Sequence, residues 1–149
     1  MVKSNSPLSS VRVLVVDDLE SWRQRVCSML ETRPEIRVVA EAGDGLEAVQ
    51  KAQELNPDLI LLDIGLPNLN GLEAAKRICQ VAPDAKIVFL TQNRDRDVVQ
   101  AALSDGARGY ILKADAWREL LTAVDQVVGG NYFLSSGIEK LDSDKTFKA

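Results

Sequence analysis

The chain has 149 residues, the size of one domain, and 46% of them are hydrophobic, so it can bury a substantial core. Its formal net charge is −4 and its basic residues form no cluster longer than two, which argues against a nucleic-acid-binding surface within this chain. The apolar runs are too short to span a membrane and the polar N-terminus does not resemble a secretory signal, so we expect a cytoplasmic protein without a membrane partner. The absence of histidine excludes Ser-His and Cys-His catalytic pairs.

Apolar runs and amphipathic segments alternate along the chain. The apolar runs predict five β-strands, at about residues 11–16, 36–41, 59–62, 87–90 and 109–112. A helical apolar spacing follows each strand and predicts five helices, the first with its apolar face at Trp22, Val26, Met29 and Leu30. Asp44 is expected to cap the second helix with Glu47 as its capping-box partner, and Gly129-Gly130 is expected to end the fifth helix.

This alternation predicts an α/β fold in which a parallel sheet is covered by helices on both faces, because parallel strands need long crossover connections. The six-stranded dinucleotide-binding order would need another strand and helix. We therefore expect a five-stranded sheet with the flavodoxin-like order 2-1-3-4-5, in which strands 1 and 3 are neighbours.

Polar residues follow four of the predicted strands. Asp17 and Asp18 follow strand 1, Asp63 follows strand 3, Thr91 follows strand 4 and Lys113 follows strand 5. The carboxyl ends of parallel strands share one edge of the sheet, where ligands bind in open α/β folds, so these side chains are expected to converge. Three neighbouring carboxylates repel one another, and their hard oxygen atoms in a shallow site favour Mg²⁺, for which Mn²⁺ could substitute.

The chain resembles the receiver domain of bacterial two-component response regulators over about residues 11–134. The resemblance rests on Asp17-Asp18, on Asp63-Ile64-Gly65-Leu66-Pro67 followed by Gly71, on Thr91, and on the stretch from Gly106 to Lys113. That last stretch, together with the stretch from Gly129 to Leu134, is most similar to the branch whose members usually carry a C-terminal helix-turn-helix output domain.

The resemblance implies a metal site and a phosphoryl acceptor. Asp18 and Asp63 would bind the metal directly, the backbone carbonyl of Gly65 would supply a third ligand, and Asp17 would act mainly through water. Asp63 would accept a phosphoryl group from a cognate histidine kinase or a phosphotransfer protein. The chain would then be a signalling switch with self-catalysed phosphotransfer and autodephosphorylation, not an enzyme with a separate substrate.

The resemblance also implies how phosphorylation is sensed. Thr91 would donate a hydrogen bond to the phosphoryl group, and Lys113 would contribute a positive charge. We expect an exposed Lys113 whose salt bridge forms fully only after phosphorylation. Tyr110 would turn inward as Thr91 moves, which changes the surface of helix 4, strand 5 and helix 5. A phosphorylation-dependent homodimer is a further expected partner.

Two enzyme alternatives also fit parts of the sequence. The segment from Gly43 to Ala48 matches G-x-G-x-x-A, and Asp63 follows Gly43 by 20 positions, as in a flavodoxin-like or dinucleotide-binding oxidoreductase domain. However, Asp44 stands where a pyrophosphate would approach. A phosphatase with a separate substrate would normally carry Asp-x-Asp after the first strand, where this chain has Asp17-Asp18-Leu19.

The expected domain organisation is simple. We predict a flexible N-terminal segment over residues 1–10, a receiver domain over 11–134 and a C-terminal tail or the start of a linker over 135–149. The last segment is too short for a helix-turn-helix domain, so DNA binding would require an output domain outside this chain. A stand-alone receiver and a fragment of a longer regulator both agree with the sequence.

Overall fold

Short apolar runs form the strands of the sheet, and most of their side chains are buried. The computed structural model describes residues 10–138, so the predicted segment over 1–10, apart from Ser10, and most of the predicted tail lie outside the described residues. The strands are β1 (Val11–Val16), β2 (Ile36–Ala42), β3 (Leu59–Leu62), β4 (Lys86–Thr91), β5 (Gly109–Leu112) and β6 (Phe133–Leu134). The helices are α1 (Glu20–Leu30), α2 (Gly45–Leu55), α3 (Gly71–Val81), α4 (Arg96–Ser104) and α5 (Ala116–Val128).

The sheet is parallel and its strand order is β2-β1-β3-β4-β5-β6. The predicted order of the first five strands is confirmed, but the predicted number of strands is wrong. The sixth strand has two residues, and it pairs with β5 through Gly109 opposite Phe133 and Tyr110 opposite Leu134. A two-residue strand produces no apolar periodicity of its own, which explains why the sequence did not predict it.

Two apolar clusters fill the space between the sheet and its helices. Helices α2, α3 and α4 contribute to the cluster on one face, and α1 and α5 contribute to the cluster on the other. The helices thus lie on both faces, as predicted. No helix within residues 10–138 has the length and the apolar character that crossing a membrane requires.

The loop after β3 depends on a glycine at the start of α3. A Cβ atom at Gly71 would lie 2.0 Å from the carbonyl oxygen of Asp63, which is far inside van der Waals contact. The Gly71 N–H donates a hydrogen bond to the carbonyl oxygen of Ile64 at 2.7 Å. Because the side chain is missing here, α3 can begin directly against the backbone of Asp63.

Candidate functional site

A polar crevice lies at the carboxyl ends of β1, β3, β4 and β5. The predicted site residues that line it are Asp17, Asp18, Asp63, Gly65, Thr91 and Lys113. They meet because β1 and β3 are adjacent in the sheet, with Val16 opposite Leu62, so that the residues following each strand lie side by side.

The three carboxylates form a compact cluster. One oxygen from each of Asp17, Asp18 and Asp63 lies within 4.8 Å of the other two. Asp17 and Asp63 are 2% and 8% exposed, whereas Asp18 is open to solvent. An oxygen-only donor set with one accessible carboxylate fits a hard divalent cation that keeps several water ligands, as Mg²⁺ does.

The ammonium of Lys113 lies between two of these carboxylates. Its Nζ atom is 2.7 Å from Asp17 Oδ2 and 3.2 Å from Asp63 Oδ2, and the side chain is only 11% exposed. The expectation of an exposed Lys113 is therefore wrong, whereas the expected salt bridge to a phosphoryl group stays a prediction. The two buried acids supply the physical reason, since the lysine is the cation that offsets their charge.

The pKa values of Asp17 and Lys113 are both raised, but for different reasons. Burial raises the pKa of Asp17, the nearby charge of Asp63 adds to the increase, and the hydrogen bonds from Lys113 and the Leu19 N–H oppose it without cancelling it. Burial alone would lower the pKa of Lys113, but the hydrogen bond to Asp17 and the charges of both acids raise it instead. Lys113 is thus fully protonated at neutral pH.

Asp17 is held by contacts that the sequence did not reveal. Its Oδ1 atom accepts the Leu19 N–H at 2.9 Å, and its backbone carbonyl accepts a hydrogen bond from Arg23 Nη1 at 2.8 Å. Arg23 is fixed in turn by an ion pair from Nε to Glu41 at 2.8 Å. No pattern in the sequence marks Arg23 as different from the other charged residues of α1, so its contact with Asp17 could not be predicted.

Asp63 offers one fixed oxygen and one paired oxygen. Its Oδ1 atom accepts the N–H of Ile64 at 2.7 Å, and its Oδ2 atom faces Lys113. Gly65 is exposed, and no described atom lies within 4 Å of the place where its Cβ would be. The side of the crevice next to Gly65 is therefore open to solvent and to an incoming group.

Thr91 and Tyr110 are connected through Asn93. The Asn93 N–H donates to Thr91 Oγ1 at 3.3 Å, and the Tyr110 hydroxyl donates to the Asn93 carbonyl at 2.7 Å. Burial raises the pKa of Tyr110, and the charges of Asp63 and Asp95 raise it further, so the hydroxyl keeps its proton.

The Tyr110 ring is completely buried in the structure. The Asn93 carbonyl makes this burial possible, because it accepts the hydrogen bond of the hydroxyl inside the protein. The expected inward turn of Tyr110 as Thr91 moves stays a prediction.

The protein's own groups contact the start of α2 in the glycine-rich turn. Asp44 accepts hydrogen bonds from the Glu47 N–H at 2.8 Å and from Asn68 Nδ2 at 2.9 Å, which confirms it as the helix cap. A Cβ at Gly45 would lie 1.9 Å from the carbonyl oxygen of Leu69, so another loop covers this helix end. The N-terminus of α2 is thus occupied by a carboxylate and by backbone, which does not favour the oxidoreductase alternative.

Comparison with known proteins identifies the family. The model of the response regulator receiver domain matches residues 13–125. The transcriptional regulatory protein LiaR of Bacillus subtilis is 39% identical over 128 residues, which cover 86% of this chain and 61% of LiaR. The nitrate/nitrite response regulator protein NarL of Escherichia coli is 38% identical over 127 residues, covering 85% of this chain and 58% of NarL. The chain spans less than two thirds of the length of either relative.

Solved structures share the fold. A two-component response regulator of the LuxR family from Aurantimonas has a TM-score of 0.87 and 32% identity, and the match covers 91% of this chain and 97% of that chain. The signal receiver domain of the putative response regulator NarL from Mycobacterium tuberculosis has a TM-score of 0.78 and 29% identity, covering 83% of this chain and 99% of that chain.

Proposed function

The chain belongs to the response regulator receiver domain family, and on that premise we propose that Asp63 is the phosphoryl acceptor of this two-component signalling switch. The observation that carries the proposal is the position of Lys113, which bridges Asp17 and Asp63 at 2.7 and 3.2 Å inside an acidic crevice. A structural salt bridge needs one acid, whereas this arrangement holds two buried acids with an exposed third acid beside them.

The donor set supports a Mg²⁺ site, which Mn²⁺ could also fill. Asp18, Asp63 and the backbone carbonyl of Gly65 would hold the ion directly, and Asp17 would hold it through water. When bound, the ion supplies positive charge that offsets the carboxylates and the phosphoryl oxygens. The Lys113 ammonium already occupies Asp17 Oδ2, which leaves the exposed Asp18 as the more accessible ligand.

The phosphoryl group would pass to an oxygen of Asp63. As the new oxygen–phosphorus bond forms, the bond between phosphorus and the donor breaks, and the donor leaves with its electron pair. Lys113 would then neutralise one phosphoryl oxygen, and the Thr91 hydroxyl would donate a hydrogen bond to another. Hydrolysis of the acyl phosphate would reset the switch through the opening beside Gly65. A cognate histidine kinase or phosphotransfer protein would be the donor.

The proposed output is a change in the surface of α4, β5 and α5. If Thr91 turns toward the phosphoryl group, the hydrogen bond from Asn93 to its hydroxyl is lost, and the Asn93 carbonyl that holds Tyr110 is free to move. Such a shift supports phosphorylation-dependent binding of a partner or of a second copy of this chain. The relative LiaR is named a transcriptional regulatory protein, and we propose that any DNA contact would come through an output domain outside this chain. The switch would act in the cytoplasm.

Phosphorylation by acetyl phosphate tests the assignment of Asp63. Phos-tag electrophoresis should show a shifted band for the parent in Mg²⁺ or Mn²⁺ and no shifted band in EDTA. Asp63→Asn should remove the band, whereas Asp58→Asn, at an acid near the opposite end of β3, should retain it. Labelling of Asp63→Asn at the parent level, or labelling that ignores EDTA, would refute the proposal.

A further inference from the structure

Two neighbouring aromatic rings, each with a cation against it, run from the crevice to the outer surface between α1 and α5. The Lys113 Nζ atom lies 5.0 Å from the ring centroid of Trp22. The Trp22 ring lies 4.8 Å from the Trp117 ring at an interplanar angle of 42°, and the Arg25 guanidinium lies 4.6 Å from the Trp117 ring. Both cations are within the distance at which the negative face of an indole attracts them.

Trp22 carries a polar group that its surroundings do not satisfy. Its indole N–H is buried and has no hydrogen-bond acceptor among residues 10–138. A buried hydrogen-bond donor without an acceptor opposes folding, so its presence in a native structure needs an explanation. The sequence placed Trp22 in the apolar stripe of α1, a role that leucine would fill without this cost.

The ring face of Trp22 gives Lys113 a contact that involves neither carboxylate. The ammonium is held mainly by Asp17 and Asp63, but in the proposed reaction Asp63 becomes an acyl phosphate, so a phosphoryl oxygen replaces its carboxylate as the partner of Lys113. We propose that Trp22 is a positioning residue that keeps the Lys113 ammonium beside Asp63 while this partner changes. This inference deepens the proposed function and rests on it.

The surroundings of Trp22 suit this role, because they prevent its ring from following Lys113. The tryptophan packs partly buried against the apolar cluster under α1 and α5, whose buried members include Val26 and Leu120. Its ring also contacts the ring of Trp117 on α5. A ring held between two helices is a fixed surface, whereas a lysine side chain has four rotatable bonds.

NMR spectra of the metal-free protein test the contact directly. The chain has two tryptophans, so the spectrum contains two indole N–H cross-peaks, and Trp117→Phe assigns them. Lys113→Met should move the Trp22 cross-peak. The matched variant Lys86→Met, which removes a lysine whose Nζ lies 3.5 Å from the Val128 carbonyl, should leave it in place. An unmoved Trp22 cross-peak in Lys113→Met would overturn the proposal.

Calorimetric binding of beryllofluoride, a phosphoryl mimic, tests the role. In Mg²⁺, Trp22→Leu should weaken binding about three- to tenfold, the range expected for a partly desolvated cation–π contact. Trp22→Phe, which keeps an aromatic face, should recover part of the loss. Tyr132→Leu removes an exposed ring that lies 5.6 Å from Arg108, and it should bind like the parent.

A thermodynamic cycle separates positioning from simple structural support. If Trp22 acts through Lys113, Trp22→Leu should cause no further loss in a Lys113→Met background, so the two losses will not add. Additive losses would overturn the positioning role while leaving the proposed function intact. If the parent itself failed to bind beryllofluoride, the proposed function would fall, and this inference with it.

Discussion

Two acidic regions at the same edge of the sheet, the turn before α2 and the crevice, shift the pKa values of their carboxyl groups in opposite directions. In the turn before α2, the hydrogen bond from the Glu47 N–H and a second one from Asn68 lower the pKa of Asp44. In the crevice, burial raises the pKa of Asp17, and Asp63 adds to the increase. The turn satisfies its negative charge locally, whereas the crevice holds charge that its own hydrogen bonds do not stabilise fully.

The contrast separates a structural acid from a functional one. The turn of Asp44 follows β2 and the loop of Asp63 follows β3. The helices after them, α2 and α3, each begin at a glycine that packs on neighbouring backbone, Gly45 and Gly71. A local pattern of acid and glycine therefore does not identify the site. The discriminating feature is a pair of buried acids that share one lysine, since such a group needs a further cation or a change in protonation.

The largest expected effect on stability comes from adding a side chain at the two glycines that begin α2 and α3. Gly71→Ala and Gly45→Ala would each place a Cβ about 2 Å from a backbone carbonyl oxygen, at 2.0 and 1.9 Å. Because backbone cannot move aside as a side chain can, each should lower the free energy of unfolding by about 3 kcal/mol, the upper end of the usual range for overpacking. Urea unfolding measures this loss.

The same pair of variants distinguishes the two loops. Gly71→Ala should also weaken Mg²⁺ binding in calorimetry, because it displaces the backbone of Asp63, whereas folded Gly45→Ala should bind Mg²⁺ like the parent. Equal Mg²⁺ affinities in both variants would mean that the start of α3 does not position the site.

The next largest effect on stability comes from removing Lys113 in the crevice, compared with Lys51 near the turn. Lys113→Met leaves Asp17 and Asp63 buried without a cation, and should lower the free energy of unfolding in metal-free buffer by about 2–3 kcal/mol, below the range for fully buried pairs. Lys51→Met, in α2 one turn after Glu47, removes a partly exposed pair between these two residues at 3.1 Å, and should cost no more than about 1 kcal/mol.

Added Mg²⁺ should affect the stability of the two lysine variants differently. The cation should restore much of the stability lost in Lys113→Met, since it replaces the missing positive charge, and should not affect the loss in Lys51→Met. Urea unfolding curves with and without Mg²⁺ measure both. A Lys113→Met protein as stable as the parent would show that the crevice tolerates its acids without the lysine.

The sequence predicted what depends on strand ends and missed what depends on side-chain direction. Asp17, Asp63 and Lys113 follow apolar runs, so the topology of a parallel sheet was enough to place them in one crevice. The burial of Lys113 was not predicted, because it depends on where a long side chain turns after β5. The contact between Trp22 and that ammonium was not predicted for a similar reason. Helical periodicity indicates which face of a helix carries a residue, but not which side chain at the sheet edge that residue contacts.

Removal of the helix cap should have a smaller effect. Asp44→Ala should lower the free energy of unfolding at pH 7 by about 1 kcal/mol, the usual contribution of an N-cap acid. The pKa of Asp44 is lowered from its ordinary value of 3.8, so its contribution is present above that value and is lost as pH falls through the depressed pKa. The parent and the variant should therefore become equally stable in strong acid. A difference that persists unchanged there would argue against capping by the carboxylate.

Asp17→Asn should raise the free energy of unfolding, opposite to Asp44→Ala, and its effect should be the smallest. The folded pKa of Asp17 is raised above 3.8, so its contribution to stability is fully present below that value and is lost as pH rises through the folded pKa. At neutral pH the ionised carboxylate therefore opposes folding, and asparagine removes that cost. Metal-free Asp17→Asn should unfold at a higher urea concentration than the parent at pH 7, and the gain should shrink in Mg²⁺, which stabilises the parent carboxylate. If Asp17→Asn were less stable than the parent without metal, Asp17 would belong with Asp44 among the structural acids.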